Sequence, residues 1–126
     1  MAINKVVVSG NLGTDAETRA TKTGTILTVF RLCYTQHRQK DESGQYQNVP
    51  GWITCIIVGR RGEKLAKYLK KGSSVALEGH LRWSEYEDKN GKKQTSTELS
   101  VDELFFGSTK AEELEIVDDS LPIEFQ

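Results

Sequence analysis

The chain reads as an all-β domain with one short helix, a small five-stranded barrel. Three observations predict it. Runs that alternate apolar and polar residues, the period of a strand, recur through the first 107 residues. One helical segment, Glu63 to Lys71, separates the third run from the fourth. The last two runs face each other across Asn90-Gly91 as an extended hairpin. Three strands, one helix and two strands is the order of a Greek-key barrel of the OB-fold type. The open face of such a barrel commonly binds single-stranded nucleic acid.

Each element has its own signal. Ile3 to Gly10 is continuous and β-branched, so it is expected to be buried or centrally paired, with Gly10-Asn11-Leu12-Gly13 ending it. Thr21 to Gly24 is a turn. Thr25 to Thr35 alternates, with Ile26, Phe30, Leu32 and Tyr34 on one face and Val29, Arg31, Cys33 and Thr35 on the other. Gln36 to Pro50 is polar and charged, holds one aromatic, Tyr46, and is expected to be a flexible loop. In the next strand Ile53, Cys55 and Ile57 point one way, and Trp52, Thr54, Ile56 and Val58 the other. Leu65 and Leu69 at i and i+4, with Tyr68 beside them, give the helix an apolar side, and Gly72 stops it. Lys70 and Lys71 at its end suit its negative pole. Two strands follow, Ser74 to Glu87 and Lys93 to Phe106, and Asn-Gly between them predicts a type I′ turn. No internal repeat is read.

A chain of 126 residues is one domain that can bury a core without metal or disulfide. Its mean hydropathy of −0.51 fits a soluble protein, and no apolar run approaches the roughly 18 residues of a membrane span. The first strand begins almost at Met1, which leaves no room for a signal or transit peptide, so a cytoplasmic protein is expected. Cys33 and Cys55 lie inside strands and are expected to be reduced core residues. The net charge of −1 hides an asymmetry. Residues 108–126 carry six acidic side chains against Lys110, a balance of −5, which leaves residues 1–107 at +4. The chain therefore divides into a basic barrel, 1–107, and an acidic, aperiodic tail, 108–126, expected to be disordered. A basic domain with an acidic tail is a common plan for nucleic-acid proteins.

No catalytic constellation emerges. His37 and His80 are far apart, neither has metal-ligand spacing to a cysteine, and no phosphate-binding glycine loop is present. No catalytic residue, metal or cofactor is expected. Binding chemistry is better supplied, because single strands are held by stacking bases on aromatics and pairing phosphates with Lys or Arg. Trp52 opens a strand on the face opposite Ile53, Cys55 and Ile57, where it suits stacking. Arg82, Ser84 and Tyr86 share one hairpin face, so Arg82 and Tyr86 are assigned to the ligand. Trp83, on the other face, is assigned to packing or a subunit contact. Lys89, Lys92 and Lys93 crowd the hairpin tip, where they can follow a phosphate backbone, and Arg31 joins the set. His80 shares the face of Arg82 and reads as a surface histidine.

Four segments together carry a resemblance. They are Asn4 to Asp15 (NKVVVSGNLGTD) with Glu17 and Arg19, Trp52-Ile53-Thr54-Cys55, Tyr68 to Ser73, and Leu77 to Arg82. In this order and spacing the chain resembles the homotetrameric, bacterial single-stranded DNA-binding protein family over nearly all of residues 3–107. The resemblance implies an OB-fold, a tetramer built partly through the first strand, and sequence-tolerant wrapping of single-stranded DNA in replication, recombination and repair at the nucleoid. It places Trp52 on a stacking tryptophan and Tyr86 where other members have a second one. Arg19, Arg60, Lys71 and Arg82 fall on positions that contact phosphate. Arg38 falls where some members have tryptophan, and Val58 where they have phenylalanine. An arginine can stack and pair with phosphate together, whereas Val58 cannot stack, so a heavier electrostatic share is expected. Members usually end in a long linker, acidic residues and a terminal Pro-Phe that docks replication and repair partners. Here Asp118, Asp119, Leu121, Pro122 and Phe125 are read as a shortened version of that tip. The leading expectation is non-catalytic binding of single-stranded DNA. The alternatives are a replication-restart-type interaction protein that uses the barrel mainly to dock a partner, and an RNA-binding OB domain.

Overall fold

In the computed structural model, which describes residues 1–107, six strands form one sheet. They are β1 (Val6–Leu12), β2 (Glu17–Ala20), β3 (Ile26–Lys40), β4 (Tyr46–Val58), β5 (Ser74–Glu87) and β6 (Lys93–Phe106). Their hydrogen-bonded order is β1-β5-β6-β4-β3-β2, and β1 also pairs with β3. That extra pairing closes five strands into the expected barrel. The short β2 hangs on β3 as an unforeseen sixth strand, because all four of its residues are exposed and offer no apolar alternation to read. All pairings are antiparallel except β4 with β6, where Cys55 and Ile56 face Leu99 and Ser100 in parallel.

Alternate residues of the strands fill the interior. Leu12, Phe30, Leu32, Cys55, Ile57, Val75, Leu77, Leu99 and Val101 form one cluster with Leu69 from the connection after β4. Removing this surface from water is the main driving term for the fold. Cys55 is buried, and desolvation pushes its thiol up to about 12. Cys33 corrects the expectation of two core cysteines, since it is half-buried on the opposite face of the sheet.

The first strand does not stop at Gly10. It runs on to Leu12, passing from its partner β5 to β3. A Cβ at Gly10 would lie 2.1 Å from the Cys33 carbonyl oxygen, so glycine is what lets the two backbones meet. Nor is β1 buried on both faces, because Val6 and Val8 turn inward while Val7 is 74% exposed.

The helix is shorter and earlier than its periodicity predicts. It comprises α1 (Arg60–Leu65) and a single 3-10 turn, Ala66–Tyr68. Gly59, at φ 99°, releases the chain from β4 directly into it. The Arg61 guanidinium donates to the carbonyls of Val101 and Asp102 and ties α1 to β6. Leu69 then enters the core, so Lys70 and Lys71 lie beyond the helix rather than in its last turn.

The segment Gln36 to Pro50 is not a flexible loop. It extends β3 and β4 into a two-stranded arm, with one register shift between Thr35 and His37. Most of the arm's residues are exposed, so polar side chains occupy both parities and the period-two signal disappears.

Both long hairpins end in the same turn. The first residue donates its N–H to the carbonyl of the fifth, Asp41 to Gln45 at 2.8 Å and Asp88 to Lys92 at 2.9 Å. The fourth residue, Gly44 or Gly91, has positive φ and donates back to the first at 3.0 or 3.1 Å. The fifth N–H returns to the aspartate side chain at 2.9 Å in each case. This is a type I turn with a glycine bulge. A type I′ turn would need positive φ at Asn90 as well, and among the described residues only glycines have it. The motif Asp-x-x-Gly-x-x-Gln therefore occurs twice, as Asp41/Gly44/Gln47 and Asp88/Gly91/Gln94.

These donors favour the charged carboxylate. Hydrogen bonds from the Ser43 and Gln47 side chains and the Gln45 backbone hold Asp41 at about 2. Asp88 is lowered in the same way, first by the Lys92 N–H. A depressed carboxyl lends stability above its unfolded value and loses it as pH falls through the folded one. Protection factors for amide exchange at Ser43 and Gln45 are therefore expected to fall selectively between about pH 4 and 2, and in Asp41→Ala at neutral pH as well. Unchanged protection under both conditions would contradict the turn's role. Separately, a Cβ at Gly79 would lie 2.1 Å from the Ser100 carbonyl oxygen. Gly79→Ala is expected to cost about 1–3 kcal/mol in urea unfolding, and parental stability would contradict the packing described.

Candidate nucleic-acid interface

The outward parity of β4 defines a surface. With Ile53, Cys55 and Ile57 directed inward, Trp52, Thr54, Ile56 and Val58 take the other parity, as expected; Trp52 and Val58 are exposed, whereas Ile56 is buried beneath its neighbours on that face. Their partners on β3 are Cys33, Arg31, Val29 and Leu27, and beyond those β2 places Glu17 and Arg19. On the other side the parallel β6 sets Glu98 near Thr54, and Glu98 faces Arg82 on β5. Between these strands lies a groove of about 490 Å³, lined by Arg19, Arg31, Thr54, Ile56 and Glu98 among others.

Trp52 stands at one end of this groove and is 51% exposed. Its ring lies across Gly13, where a Cβ would come within 2.2 Å of Cζ3. The Arg31 guanidinium carbon is 5.7 Å from the ring centroid. The Gly13 N–H donates to the Arg31 carbonyl at 2.8 Å, so floor and flank are tied together. The indole is held by backbone and cation, yet half of it faces solvent.

The other expected residues fall into three groups. Arg19 and Arg31 line the groove, and Arg82 lies opposite its lining residue Glu98 on the neighbouring strand. The Arg19–Glu17 pair, 3.0 Å apart and exposed, is too solvated to count for much. Arg60 and Lys71 sit at the rims. Arg60 opens α1 two residues after Val58, and the Lys71 N–H donates to Asp15 Oδ1 at 2.7 Å beside the Gly13 loop. The remaining residues lie on the two arms. Arg38 is on the β3–β4 arm, 5.2 Å from the Tyr46 ring centroid. Tyr86, opposite Gln94, is on the β5–β6 arm on the face of Arg82, with Lys89, Lys92 and Lys93 exposed around its tip. Trp83 is on the opposite face and 61% exposed. His80 is paired through Nδ1 with Asp102 Oδ2 at 3.3 Å. Asp118, Asp119, Leu121, Pro122 and Phe125 lie outside the described residues.

Two residues of interest were missed. Gly13 carried only the signal of a strand-ending glycine, and its part becomes visible once Trp52 lies on it. Tyr46 was assigned to a loop, which left its face unread. A half-exposed aromatic plate among guanidinium groups can stack a planar base and pair with the adjoining phosphates. Among the described residues no group of three or more His, Cys, Asp or Glu is placed to hold a metal, and no helix is long and apolar enough to cross a membrane.

Comparison with known proteins gives the family and the fold. A model of the single-strand binding protein family matches residues 3–106. The single-stranded DNA-binding protein of Xanthomonas campestris is 38% identical over 102 residues, 81% of this chain and 59% of that protein. That of Borreliella burgdorferi is 31% identical over 117 residues, 92% of this chain and 77% of its own. The chain thus spans about three-fifths of the Xanthomonas relative's length. Among solved structures, a deletion mutant of the Thermus aquaticus single-stranded DNA binding protein superposes with TM-score 0.71 and 26% identity, covering 86% of this chain and 52% of that one. Plasmodium falciparum SSB in complex with ssDNA superposes with TM-score 0.72, covering 86% and 97%, and at 21% identity that likeness is one of fold. A closed OB barrel, matched by the family model over almost all of its length, makes this chain a member of the single-strand binding protein family.

Proposed function

We propose that this chain binds single-stranded DNA without reading its sequence and protects it during replication, recombination and repair, acting as a binding protein rather than an enzyme. The observation that carries this is Trp52, seated on Gly13 beside Arg31 and half exposed on the strand face whose groove is lined by Arg19 and Arg31, with Arg82 opposite Glu98 at its edge. Every base has a flat face, so stacking is indifferent to sequence and contributes roughly 1–3 kcal/mol per base. Arginine and lysine pair with phosphates that are identical along the strand. A duplex keeps its bases stacked inside and offers Trp52 nothing to hold.

The strand is proposed to cross the barrel between the rims marked by Arg60 and Lys71. Arg38 would follow it on one arm, and Tyr86 with Lys89, Lys92 and Lys93 on the other. Residues 1–107 would form this DNA-binding unit. Residues 108–126 would form a separate acidic segment that docks replication and repair proteins through Asp118, Asp119, Leu121, Pro122 and Phe125. We also propose a homotetramer in the cytoplasm, at the nucleoid. Support for self-association comes from Val7 and Phe105, 74% and 56% exposed on the outward face of β1, β5 and β6. The printed names of the relatives, single-stranded DNA-binding proteins, support the ligand class.

Fluorescence anisotropy with labelled oligo-dT and a duplex of equal length tests the proposal. Tight binding to oligo-dT alone is expected. Equal binding to both would refute it, and weak binding to both would favour the partner-docking alternative. Because Arg38 and Val58 stand where stacking aromatics would otherwise be, affinity is expected to fall steeply as salt rises. Trp52→Ala should weaken oligo-dT binding by about 5- to 150-fold. Gly13→Ala should weaken it too while leaving thermal stability near that of the parent, since the displaced indole can swing into solvent. Parental affinity in Gly13→Ala would contradict the seating of Trp52.

A further inference from the structure

We infer that Tyr46, flanked by Arg38 and Lys40 near the tip of the β3–β4 arm, is a further base-stacking seat for single-stranded nucleic acid, set in line with Trp52. This rests on the binding function proposed above and adds a residue and a direction to it.

The placement comes from strand parity. Along β4, Tyr46, Asn48, Pro50 and Trp52 point to one face without interruption, because the arm's register shift falls on β3. At a rise of roughly 3.3 Å per residue, Tyr46 lies about 20 Å along the strand from Trp52. The surface between them is open. Asn48 and Pro50, with Cys33 and Thr35 opposite, line a concavity of about 670 Å³ where the arm leaves β1. A strand leaving Trp52 can therefore run along the arm without crossing a ridge.

The chemistry at the tip fits that course. Tyr46 is 59% exposed, far from the core, and its near neighbours are cations. The Arg38 guanidinium carbon and Lys40 Nζ are 5.2 and 5.7 Å from its ring centroid. Lys40 faces Tyr46 across the ladder and Arg38 is its diagonal neighbour. A base laid on the ring would have its flanking phosphates beside these two charges. The turn also fixes the strand that carries Tyr46, because the Gln45 N–H and the Gln47 side chain on either side of it both donate to the Asp41 carboxylate. The arm thus presents a plate and two cations on a braced strand. If Tyr46 served only to cover the side chains of Arg38 and Lys40, its removal would leave DNA affinity unchanged.

The test uses the full chain and oligo-dT long enough to span groove and arm. Tyr46→Ala should lose about 5- to 150-fold in affinity, and Tyr46→Phe should bind as the parent does. In a Trp52→Phe, Trp83→Phe background, Tyr46→Trp should be quenched by oligo-dT and not by duplex. Parental affinity in Tyr46→Ala, or no quenching of the tryptophan at 46, would overturn the inference. If Trp52→Ala still lost affinity in that case, the binding function would stand without Tyr46. If the parent itself failed to prefer oligo-dT to duplex, both readings would fall together.

Discussion

The rest of the structure depends on barrel closure at one narrow place, where β1 leaves β5 and reaches β3. Only two residue pairs make the joint, Asn11 with Cys33 and Leu12 with Leu32. Gly10 permits it by letting the backbones touch. The consequence reaches the surface. Once Leu12 is anchored in the core, the next residue, Gly13, is bound to the Arg31 carbonyl and becomes the floor under Trp52. The same closure that seals the hydrophobic interior therefore sets the posture of the aromatic side chain outside it.

The molecule uses two kinds of stability. The barrel is held by apolar burial, which is strong and indifferent to direction. Its two arms extend past the core and have little to bury, so their backbone ladders and identical aspartate turns hold them. Such arms can be polar on both faces, which suits the charged ligand proposed for them. They are also the parts that salt, pH and single substitutions at the turn should move most easily.

The sequence reveals most where residues are half-buried. Alternation at Trp52 to Val58 gave the inward and outward faces correctly, because one parity enters the core. Legibility ended where burial ended. Gln36 to Pro50 looked like a loop because neither face of the arm is apolar, and with it went the bearing of Arg38 and Tyr46. Asn90-Gly91 suggested the commoner two-residue turn, since nothing in the dipeptide announces that Asp88 captures the Lys92 N–H. The helix shifted because Gly59 and Arg61 fix its start, signals weaker in sequence than the Leu65–Leu69 spacing. Gly13 was unreadable in principle, because its importance lies in a contact made 39 residues later in the chain.

The central claim is that Trp52, seated on Gly13, meets the bases of a single strand. A Trp83→Phe protein leaves Trp52 as the sole tryptophan, and its fluorescence can be followed during titration with oligo-dT and with duplex at moderate salt. Strong quenching by oligo-dT alone is the predicted result. Unchanged fluorescence while oligo-dT binds would place the DNA elsewhere on the barrel and contradict the account.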